Sequence, residues 1–264
     1  NRERVRLNPE LSPSGQTIIT GAASGLGLAL VERLAPIRSR ILLIDQDKNG
    51  LKKITVKFKN CIGYNIDLAN EGELNKLFLS AEWNFSDISE VFACAGIGLR
   101  GKMQNISYEG HKKMFAINVL SRIAIAKRAF ESMKSKNFGR IIFISSSSAF
   151  QPLPFMATYA ATNSALLFIG EAWGEEITDD GVQLLTICPG GMKTNFQKTG
   201  GVRQIDGERL MAPEKVVDLI LSGIRLQRQT IIVSFRSFAM SLLVRFLPRS
   251  LSVKLWGVMM EKMR

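Results

Sequence analysis

Residues 17–27 read TIITGAASGLG, a short apolar run that passes into a glycine-rich turn. An apolar segment with a helical pattern follows to about Ala35. A strand, a glycine-rich turn and a helix in this order suit phosphate binding, because glycine lets the backbone approach a pyrophosphate and the helix N-terminus offers free N–H groups. We therefore expect a dinucleotide-binding loop here. The alternative is an ordinary tight turn, since many such turns use glycine.

A second apolar run, Ile41 to Ile44, ends in Asp45, about twenty residues after the glycine turn. A carboxylate at this position can accept hydrogen bonds from both ribose hydroxyls of an adenosine, and it repels a 2′-phosphate. Ser24 and Gln46 bring no cation to hold such a phosphate. The sequence therefore favours NAD(H) over NADP(H). The alternative role for Asp45 is a helix N-cap, which is compatible with ribose binding.

Apolar strands and helical segments alternate along the rest of the chain. After the first two strands, further strands are predicted at residues 61–66, 91–95, 140–145, 182–187 and 230–234, and helices at 71–81, 108–134, 159–177 and 212–226. This alternation predicts an α/β fold with a doubly wound parallel sheet of the Rossmann type. We expect one domain at residues 16–234, an extended N-terminal arm at 1–15, and a lid at about 191–212.

Four polar residues form a candidate active site. Ser146 ends the fifth strand, and Tyr159 opens a helix thirteen residues later, so that a hydroxyl and a phenol can reach one small oxygen. Asn163 shares a helix face with Tyr159, at a position where a cation that activates a base would be expected. Asn118 lies in an apolar stretch, and a buried asparagine needs partners. It is therefore either a structural bridge or part of the site.

These ordered motifs resemble the classical short-chain dehydrogenases/reductases, from about residue 17 to residue 234. The resemblance implies that Asn118, Ser146 and Tyr159 are catalytic, and that Asn163 stands where the family has lysine. It also implies a homodimer or homotetramer that pairs the helices of Asn118 and Tyr159. The implied cofactor-binding residues are Gly21, Ala23, Ser24, Gly25, Leu26, Gly27, Asp45, Asp67, Leu68, Ala95, Gly96, Tyr159, Asn163, Pro189, Gly190, Met192 and Thr194.

The implied reaction is the NAD(P)(H)-dependent interconversion of a secondary alcohol and a carbonyl, with Tyr159 as acid/base and Ser146 orienting the substrate oxygen. In the family, the lysine bonds the nicotinamide ribose and lowers the pKa of the tyrosine by its charge. Asn163 can donate a hydrogen bond but supplies no charge, so we expect alcohol oxidation to suffer more than carbonyl reduction.

Three explanations of Asn163 stay open. The first is that the chain is an engineered or variant form in which the lysine is replaced. The second is that it is a slow or specialised enzyme that recruits another cation, such as Lys193. The third is an NAD-binding pseudoenzyme that acts as a sensor or scaffold.

The formal charge of +12 is compatible with an anionic membrane, an anionic ligand, nucleic acid or a solvated basic surface. No nucleic-acid partner is expected, because aromatic residues are not interleaved with the basic ones. Residues 235–264 carry two apolar segments with basic residues and a break at Pro248. They predict a basic amphipathic helical tail that lies on an anionic membrane. The alternative is that its apolar face packs on the domain or on a sister subunit.

The cysteines, the single histidine and the apolar residues near the site limit the kinds of chemistry expected. Cys61, Cys94 and Cys188 stand far apart beside apolar runs, which predicts buried free thiols in a reducing, cytoplasmic compartment. His111 is the only histidine, and no metal site is expected. Apolar residues follow Ser146 and recur in the lid, so an apolar or lipid-like carbonyl or alcohol is the expected substrate. These residues are Phe150, Pro152, Leu153, Pro154, Phe155, Met156, Met192, Phe196 and Met211.

Overall fold

A parallel sheet forms the centre of the computed structural model, which describes residues 15–80, 87–194, 196 and 210–262. Within these residues it has seven strands, in the order β3-β2-β1-β4-β5-β6-β7. The strands are β1 (Gln16–Thr20), β2 (Arg40–Asp45), β3 (Cys61–Asn65), β4 (Ile88–Ala93), β5 (Gly139–Ile144), β6 (Val182–Cys188) and β7 (Thr230–Ile232). The chain reverses its direction across the sheet between β1 and β4, and such a reversal opens a crevice at the carboxyl ends of the strands. The predicted doubly wound parallel fold is confirmed.

Helices cover both faces of the sheet. They are α1 (Gly25–Leu34), α2 (Lys48–Lys57), α3 (Glu71–Leu79), α4 (Tyr108–Phe115), α5 (Ser121–Ser135), α6 (Ala157–Glu176), α7 (Pro213–Arg225), α8 (Phe235–Phe246) and α9 (Arg249–Lys262). A π-helical turn, Ala116–Leu120, joins α4 to α5. The sequence interpretation missed α2 because it buries only Leu51 and Ile54 on a polar, partly β-branched stretch. The N-terminal arm and most of the predicted lid lie outside the described residues.

Alternate residues of each strand point to opposite faces, which gives two apolar layers. Ile18, Val91 and Phe143 belong to the layer under α5 and α6. Ile19 and Phe92 belong to the layer under α1 and α7. Burial on both sides explains why these strands read as continuous apolar runs. The prediction of three buried thiols is wrong for Cys94, which is partly exposed because it follows β4 at the pocket; Cys61 and Cys188 are buried.

A buried ion-pair cluster ties β4 to its neighbours. Glu90 accepts from Arg38 Nε at 2.7 Å and from Arg140 Nη1 at 3.0 Å. Thr17 Oγ1 donates to the same carboxylate at 3.0 Å. All four residues are buried. Two guanidinium groups and a hydroxyl therefore satisfy one carboxylate that the interior would otherwise not tolerate.

The C-terminal helices α8 and α9 turn their serines towards the domain. Ser241 and Ser252 are each 4% exposed, while Phe246 is 85% exposed. The other exposed apolar residues of the pair are Phe235, Phe238, Leu242, Leu243, Leu251, Val253, Leu255, Val258 and Met259. The expectation that the apolar face packs on the domain is therefore wrong for most of this face. Small serine side chains let the helices approach the domain, and the large apolar groups are left outside.

Candidate active site

A cavity of about 520 Å³ opens at the carboxyl ends of the strands. This is the crevice that the strand order creates, and its size suits a small-molecule site. Of the residues predicted for the site, Ala23 does not line the cavity. The predicted residues that line it are Gly21, Ser24, Gly25, Leu26, Gly27, Asp45, Asp67, Leu68, Ala95, Gly96, Asn118, Ser146, Tyr159, Asn163, Pro189, Gly190, Met192 and Thr194.

The glycine-rich loop leaves no room for side chains. Gly21 has a φ of +65°, and a Cβ there would lie 2.9 Å from Ala95 Cα. A Cβ on Gly27 would lie 2.0 Å from the Gly21 carbonyl oxygen. Gly25, Leu26 and Gly27 line the cavity as the first residues of α1, so the free N–H groups of this helix end are available to a pyrophosphate. This close-packed cradle fits a dinucleotide.

Asp45 ends β2 and organises the loop that it faces. Its Oδ2 accepts from Ala23 N at 2.9 Å, and its Oδ1 accepts from Asp47 N at 2.9 Å. Ala23 therefore acts through its backbone, by bonding the carboxylate. Each carboxylate oxygen has a second lone-pair site, so Asp45 can still accept from ribose hydroxyls. The N-cap of α2 is Asp47 and not Asp45, since the Asp47 side chain accepts from Asn49 N and Gly50 N.

Asp67 and the segment after β6 form two further walls of the cavity. Asp67 accepts from Ala69 N at 2.9 Å and lies 3.4 Å from Lys113 Nζ, which fixes its carboxylate. The Pro189 carbonyl oxygen accepts from Ser147 N at 2.7 Å. The Thr194 methyl lies close to Gly25, where a Cβ would be 3.1 Å from Thr194 Cγ2. These contacts hold two walls of the cavity that carry residues of the cofactor-binding set implied by the family resemblance.

Ser146 and Tyr159 meet at the inner end of the cavity. Ser146 follows β5 and accepts from Ser148 N at 3.1 Å. Its hydroxyl lies close enough to the Tyr159 phenol to lower the pKa of that phenol. The Asn163 side chain acts on the pKa in the same direction, and its Nδ2 donates to the Tyr159 carbonyl oxygen at 2.8 Å. Ser145 Oγ donates to the Asn163 carbonyl oxygen at 3.0 Å, which fastens α6 to the end of β5.

Asn118 bridges two elements of the site. Its Oδ1 accepts from Ile97 N at 2.9 Å, and its Nδ2 donates to Ile97 O at 2.9 Å and to Thr162 Oγ1 at 3.1 Å. These bonds use both amide N–H groups and hold the chain after β4 against α6. The structural bridge is thus present, and a part for Asn118 in a proton relay stays a prediction.

Arg122, which the sequence interpretation missed, is buried beside the reacting groups. It lies one helical turn after Asn118 and lines the cavity. Its Nε and Nη2 donate to the Ala95 carbonyl oxygen at 2.9 and 2.5 Å, and its Nη1 donates to the Ile144 carbonyl oxygen. The i, i+4 spacing from Asn118 was the signal that could have placed it at the site.

Burial sets the pKa of both Tyr159 and Arg122. Burial raises the pKa of the Tyr159 phenol, and the Ser146 hydroxyl, the charge of Arg122 and the Asn163 side chain each oppose this rise. Burial lowers the pKa of Arg122 to about 10, with Cys94 and Tyr159 opposing. At neutral pH the phenol is therefore protonated and the guanidinium is charged.

Apolar residues close the substrate side, and of these Phe196 was predicted from the sequence. The Phe196 ring packs against the Tyr159 ring with the centroids 5.7 Å apart and the planes tilted by 51°, and a Cβ on Gly98 would lie 2.9 Å from Phe196 Cζ. Trp256 and Met260 of α9 also line the cavity. Arg100 Nη2 donates to the Met260 carbonyl oxygen at 2.6 Å and anchors α9 at the mouth. The sequence interpretation placed no residue of the tail in the site.

Lys193, which the sequence suggested as a replacement cation, does not line the cavity. Its side chain is exposed, and its backbone N–H donates to the Met211 carbonyl oxygen at 3.0 Å. A bridge between Met192 and Met211 joins the two ends of the predicted lid. The backbone pairing directs Lys193 to solvent, and among the described residues the charge that acts on Tyr159 is that of Arg122.

Comparisons with known proteins agree with this arrangement. The family model described as short chain dehydrogenase matches residues 16–203. The chain is 30% identical over 181 residues to 2,5-dichloro-2,5-cyclohexadiene-1,4-diol dehydrogenase LinX of Sphingobium indicum, covering 67% of this chain and 72% of the relative. It is 24% identical over 262 residues to estradiol 17-beta-dehydrogenase 11 of Homo sapiens, covering 94% and 86%.

A solved structure shares the fold. A short-chain dehydrogenase/reductase from Burkholderia phymatum, in complex with NAD, superposes with a TM-score of 0.78 at 21% identity, covering 88% of this chain and 93% of its own. The family match spans well over half of the chain and includes the glycine loop, Ser146 and Tyr159. The chain therefore belongs to the short-chain dehydrogenase/reductase family of oxidoreductases.

Proposed function

We propose that the chain interconverts a secondary alcohol and a carbonyl with a nicotinamide cofactor. The observation that carries this proposal is that Ser146 and Tyr159 line the same cavity as the glycine-rich loop, with the Ser146 hydroxyl close enough to the phenol to lower its pKa. One oxygen of a substrate can reach both groups there. The bound cofactor supplies or accepts the hydride, and the chain supplies orientation and proton transfer.

In the direction of reduction, Ser146 Oγ donates a hydrogen bond to the carbonyl oxygen and holds it beside the phenol. Tyr159 Oη then gives its proton to that oxygen as negative charge develops on it. In the direction of oxidation, the phenolate takes the proton from the alcohol. Since burial raises the pKa of Tyr159, the neutral phenol is the ready form at neutral pH, and this favours carbonyl reduction.

NAD(H) is the proposed cofactor form. Asp45 lines the cavity beside Ser24 and Gln46, and none of the three carries a positive charge. A 2′-phosphate at this position would meet the carboxylate at close range, whereas ribose hydroxyls would donate to it. The Lys113 cation nearby is already opposite Asp67, 3.4 Å away.

The proposed substrate is an apolar secondary alcohol or ketone. Phe196, Met192, Leu153, Trp256 and Met260 form apolar walls around Tyr159. Burial of such walls against a substrate stabilises binding by about 25 cal/mol per Å² of apolar surface. Two relatives carry names of enzymes that act on ring alcohols, a chlorinated cyclohexadiene diol and estradiol, and this agrees with an apolar substrate here.

We also propose that α8 and α9 dock on an anionic membrane surface. Residues 235–264 contain six Lys or Arg and one Glu, a net charge of +5, and among them Arg249 and Lys254 are exposed beside the apolar face. An outward apolar face with adjoining positive charge suits the boundary between headgroups and acyl chains. None of the described helices has the length and hydropathy to cross a membrane. Because Trp256 and Met260 line the cavity, an apolar substrate could enter directly from the lipid.

Vesicle sedimentation tests this docking. The full chain is expected to bind vesicles of phosphatidylcholine and phosphatidylserine, and Phe246→Glu is expected to weaken binding at least tenfold. Leu79→Glu is the matched control, because Leu79 is 86% exposed on α3, outside the tail. Absence of binding by the full chain, or equal binding by the Phe246 variant, would refute the proposal. A loss of self-association in Phe246→Glu without vesicle binding would assign the face to a sister subunit.

A homodimer or homotetramer is proposed through the helices around Asn118 and Tyr159. Two large side chains are exposed there: Leu120, two residues after Asn118, and Phe168, on the same helix as Tyr159. A symmetric contact between subunits would bury both. Light scattering on the parent chain is expected to show a mass of two or four chains, reduced by Phe168→Glu. A monomeric parent would contradict this assignment.

The rival reading is an NAD-binding protein without turnover, since Asn163 stands where the family has lysine. The enzyme reading is preferred because Ser146, Tyr159 and a buried cation are all present at the site. The test mixes the protein with NADH and a panel of apolar ketones and follows NADH oxidation, with Ser146→Ala as the control. Turnover that falls in the control supports the enzyme. Tight NADH binding without turnover on any ketone assigns the rival role, and no NADH binding refutes both.

A further inference from the structure

We propose that Arg122, from helix α5, supplies to Tyr159 the positive charge that the family's lysine supplies from the position of Asn163. The inference deepens the proposed function, because it concerns the state of the acid/base. It is nevertheless testable on the ionisation of Tyr159 without any turnover. Arg122 is thus a positioning residue that acts through the tyrosine.

The guanidinium is held in place by the ends of two strands. Its three hydrogen bonds go to the carbonyl oxygens of Ala95 and Ile144, which follow β4 and end β5. These bonds use three of the five N–H groups of the side chain. The side chain therefore cannot swing to solvent, and Arg122 is 4% exposed. A rigid cation at the inner end of the cavity acts on the phenol with little screening by water.

Two neighbouring positions are shaped around this arginine. A Cβ on Gly96 would lie 2.6 Å from Arg122 Nη2, so glycine at 96 makes room for the guanidinium. Asn163 is short and neutral, and it turns its Nδ2 to the Tyr159 carbonyl oxygen. A lysine at 163 would bring a second positive charge to the same buried space, at a cost from desolvation and repulsion. Asparagine at 163 and arginine at 122 are therefore complementary.

The other titratable groups that line or flank the cavity are neutral or already have partners of their own, which leaves Tyr159 to interact with the charge of Arg122. Loss of hydration around the sulfur raises the pKa of Cys94 to about 12, so its thiol stays neutral. Asp45, which ends β2, and Asp67, which follows β3, line the cavity, and Asp67 lies opposite Lys113. On the substrate side, Arg100 bonds Met260, and on α4 His111 bonds Thr158 at 2.7 Å.

A purely structural role is the competing explanation, since Arg122 also joins the ends of two strands. The two roles predict different changes in the Tyr159 pKa when the charge of Arg122 is removed or is moved to position 163. If Arg122 serves only to join the two strand ends, that role is lost in Arg122→Gln whichever residue occupies position 163. An electrostatic role is restored when Asn163→Lys is added to Arg122→Gln, although the strand contacts are still missing.

The experiment measures the Tyr159 pKa by NMR of isotope-labelled tyrosine, which is practicable because the chain has three tyrosines. The Tyr159 signal is assigned with Tyr159→Phe. Arg122→Gln is expected to raise the Tyr159 pKa by about one to three units, the usual effect of removing a nearby cation. Arg122→Lys is expected to stay near the parent, and the double variant with Asn163→Lys is expected to return towards it.

Two outcomes overturn the proposal. One is a folded Arg122→Gln protein whose Tyr159 titrates as in the parent. The other is a folded Arg122→Lys protein, which keeps the positive charge, whose Tyr159 pKa nevertheless rises by one unit or more. This second variant keeps the test decisive if Arg122→Gln fails to fold. Neither outcome bears on whether the protein turns over, which the ketone panel measures separately.

Discussion

Replacement of Gly27 by alanine should weaken cofactor binding strongly, because this glycine sets how closely α1 approaches the glycine-rich loop. An ideal Cβ at residue 27 lies 2.0 Å from the Gly21 carbonyl oxygen, and its next neighbour is the Gly21 carbonyl carbon at 2.7 Å. Both atoms belong to backbone, so no flexible side chain can give way. Real Cβ atoms do not approach other atoms within 3.0 Å, and the loop or the helix must therefore move by about 1 Å.

The size of the effect follows from that displacement. Overpacking at a well-packed position costs about 1–3 kcal/mol of folding free energy. A shift of about 1 Å at the helix N-terminus also misplaces N–H donors, and each hydrogen bond to a charged group contributes about 1.5–3 kcal/mol. Loss of two such bonds to the pyrophosphate weakens NADH binding by at least about 100-fold, since 1.4 kcal/mol is a factor of ten.

Isothermal titration calorimetry of NADH with the parent and with Gly27→Ala measures this loss, and circular dichroism shows that both are folded. Gly72→Ala is the matched control, because Gly72 is exposed on α3 and its Cβ would meet only Asn70 Oδ1, at 3.3 Å. The control should bind NADH as the parent does. If a folded Gly27→Ala protein also binds with the parent affinity, the assignment of the loop to the cofactor is refuted.

Three further predictions concern stability, cofactor choice and pH. Glu90→Gln should lower the free energy of unfolding by about 3–5 kcal/mol in urea titrations, because it removes the negative charge that faces two buried guanidinium groups, whereas Glu32→Gln, in an exposed pair with Lys57, should change it by less than about 1 kcal/mol; equal effects would contradict the buried cluster. Asp45→Asn should weaken NADH binding and improve NADPH binding in competition titrations, and an unchanged ratio would count against the ribose assignment. Because burial raises the pKa of Tyr159, alcohol oxidation should increase with pH through the alkaline range while ketone reduction stays level near neutrality; a neutral optimum for oxidation would oppose this role.

The sequence was sufficient to predict those parts of the fold in which the local residues allow only one kind of structure. The loop at residues 17–27 requires a strand before it and a helix after it, and the alternating apolar runs require burial on both faces of a sheet. The strands β1, β2, β3, β5 and β6 were predicted to within one residue at either end. By contrast, β4 begins at Ile88, because Ser89 and Glu90 are polar in the sequence and become buried only through partners from distant strands.

The features that the sequence did not reveal depend on long-range placement. Arg122 lies among the basic residues Lys127 and Arg128 of one helix, and in the sequence all three read as solvent-exposed charges. Only the fold brings Arg122 to the ends of two strands. In the tail, the periodicity correctly gave amphipathic helices, but periodicity does not say which face meets the domain. The contact of Ser241 and Ser252 with the domain follows from tertiary packing.

The most direct test of this account is the rate of NADH oxidation with an apolar ketone in the parent and in Tyr159→Phe. Phenylalanine keeps the ring and its contact with Phe196 but removes the proton donor, so the two rates are compared at saturating NADH. Loss of a positioned general acid predicts a rate at least about 100-fold below that of the parent. An equal rate in Tyr159→Phe at saturating NADH would contradict the assignment of Tyr159 as the acid/base of this site.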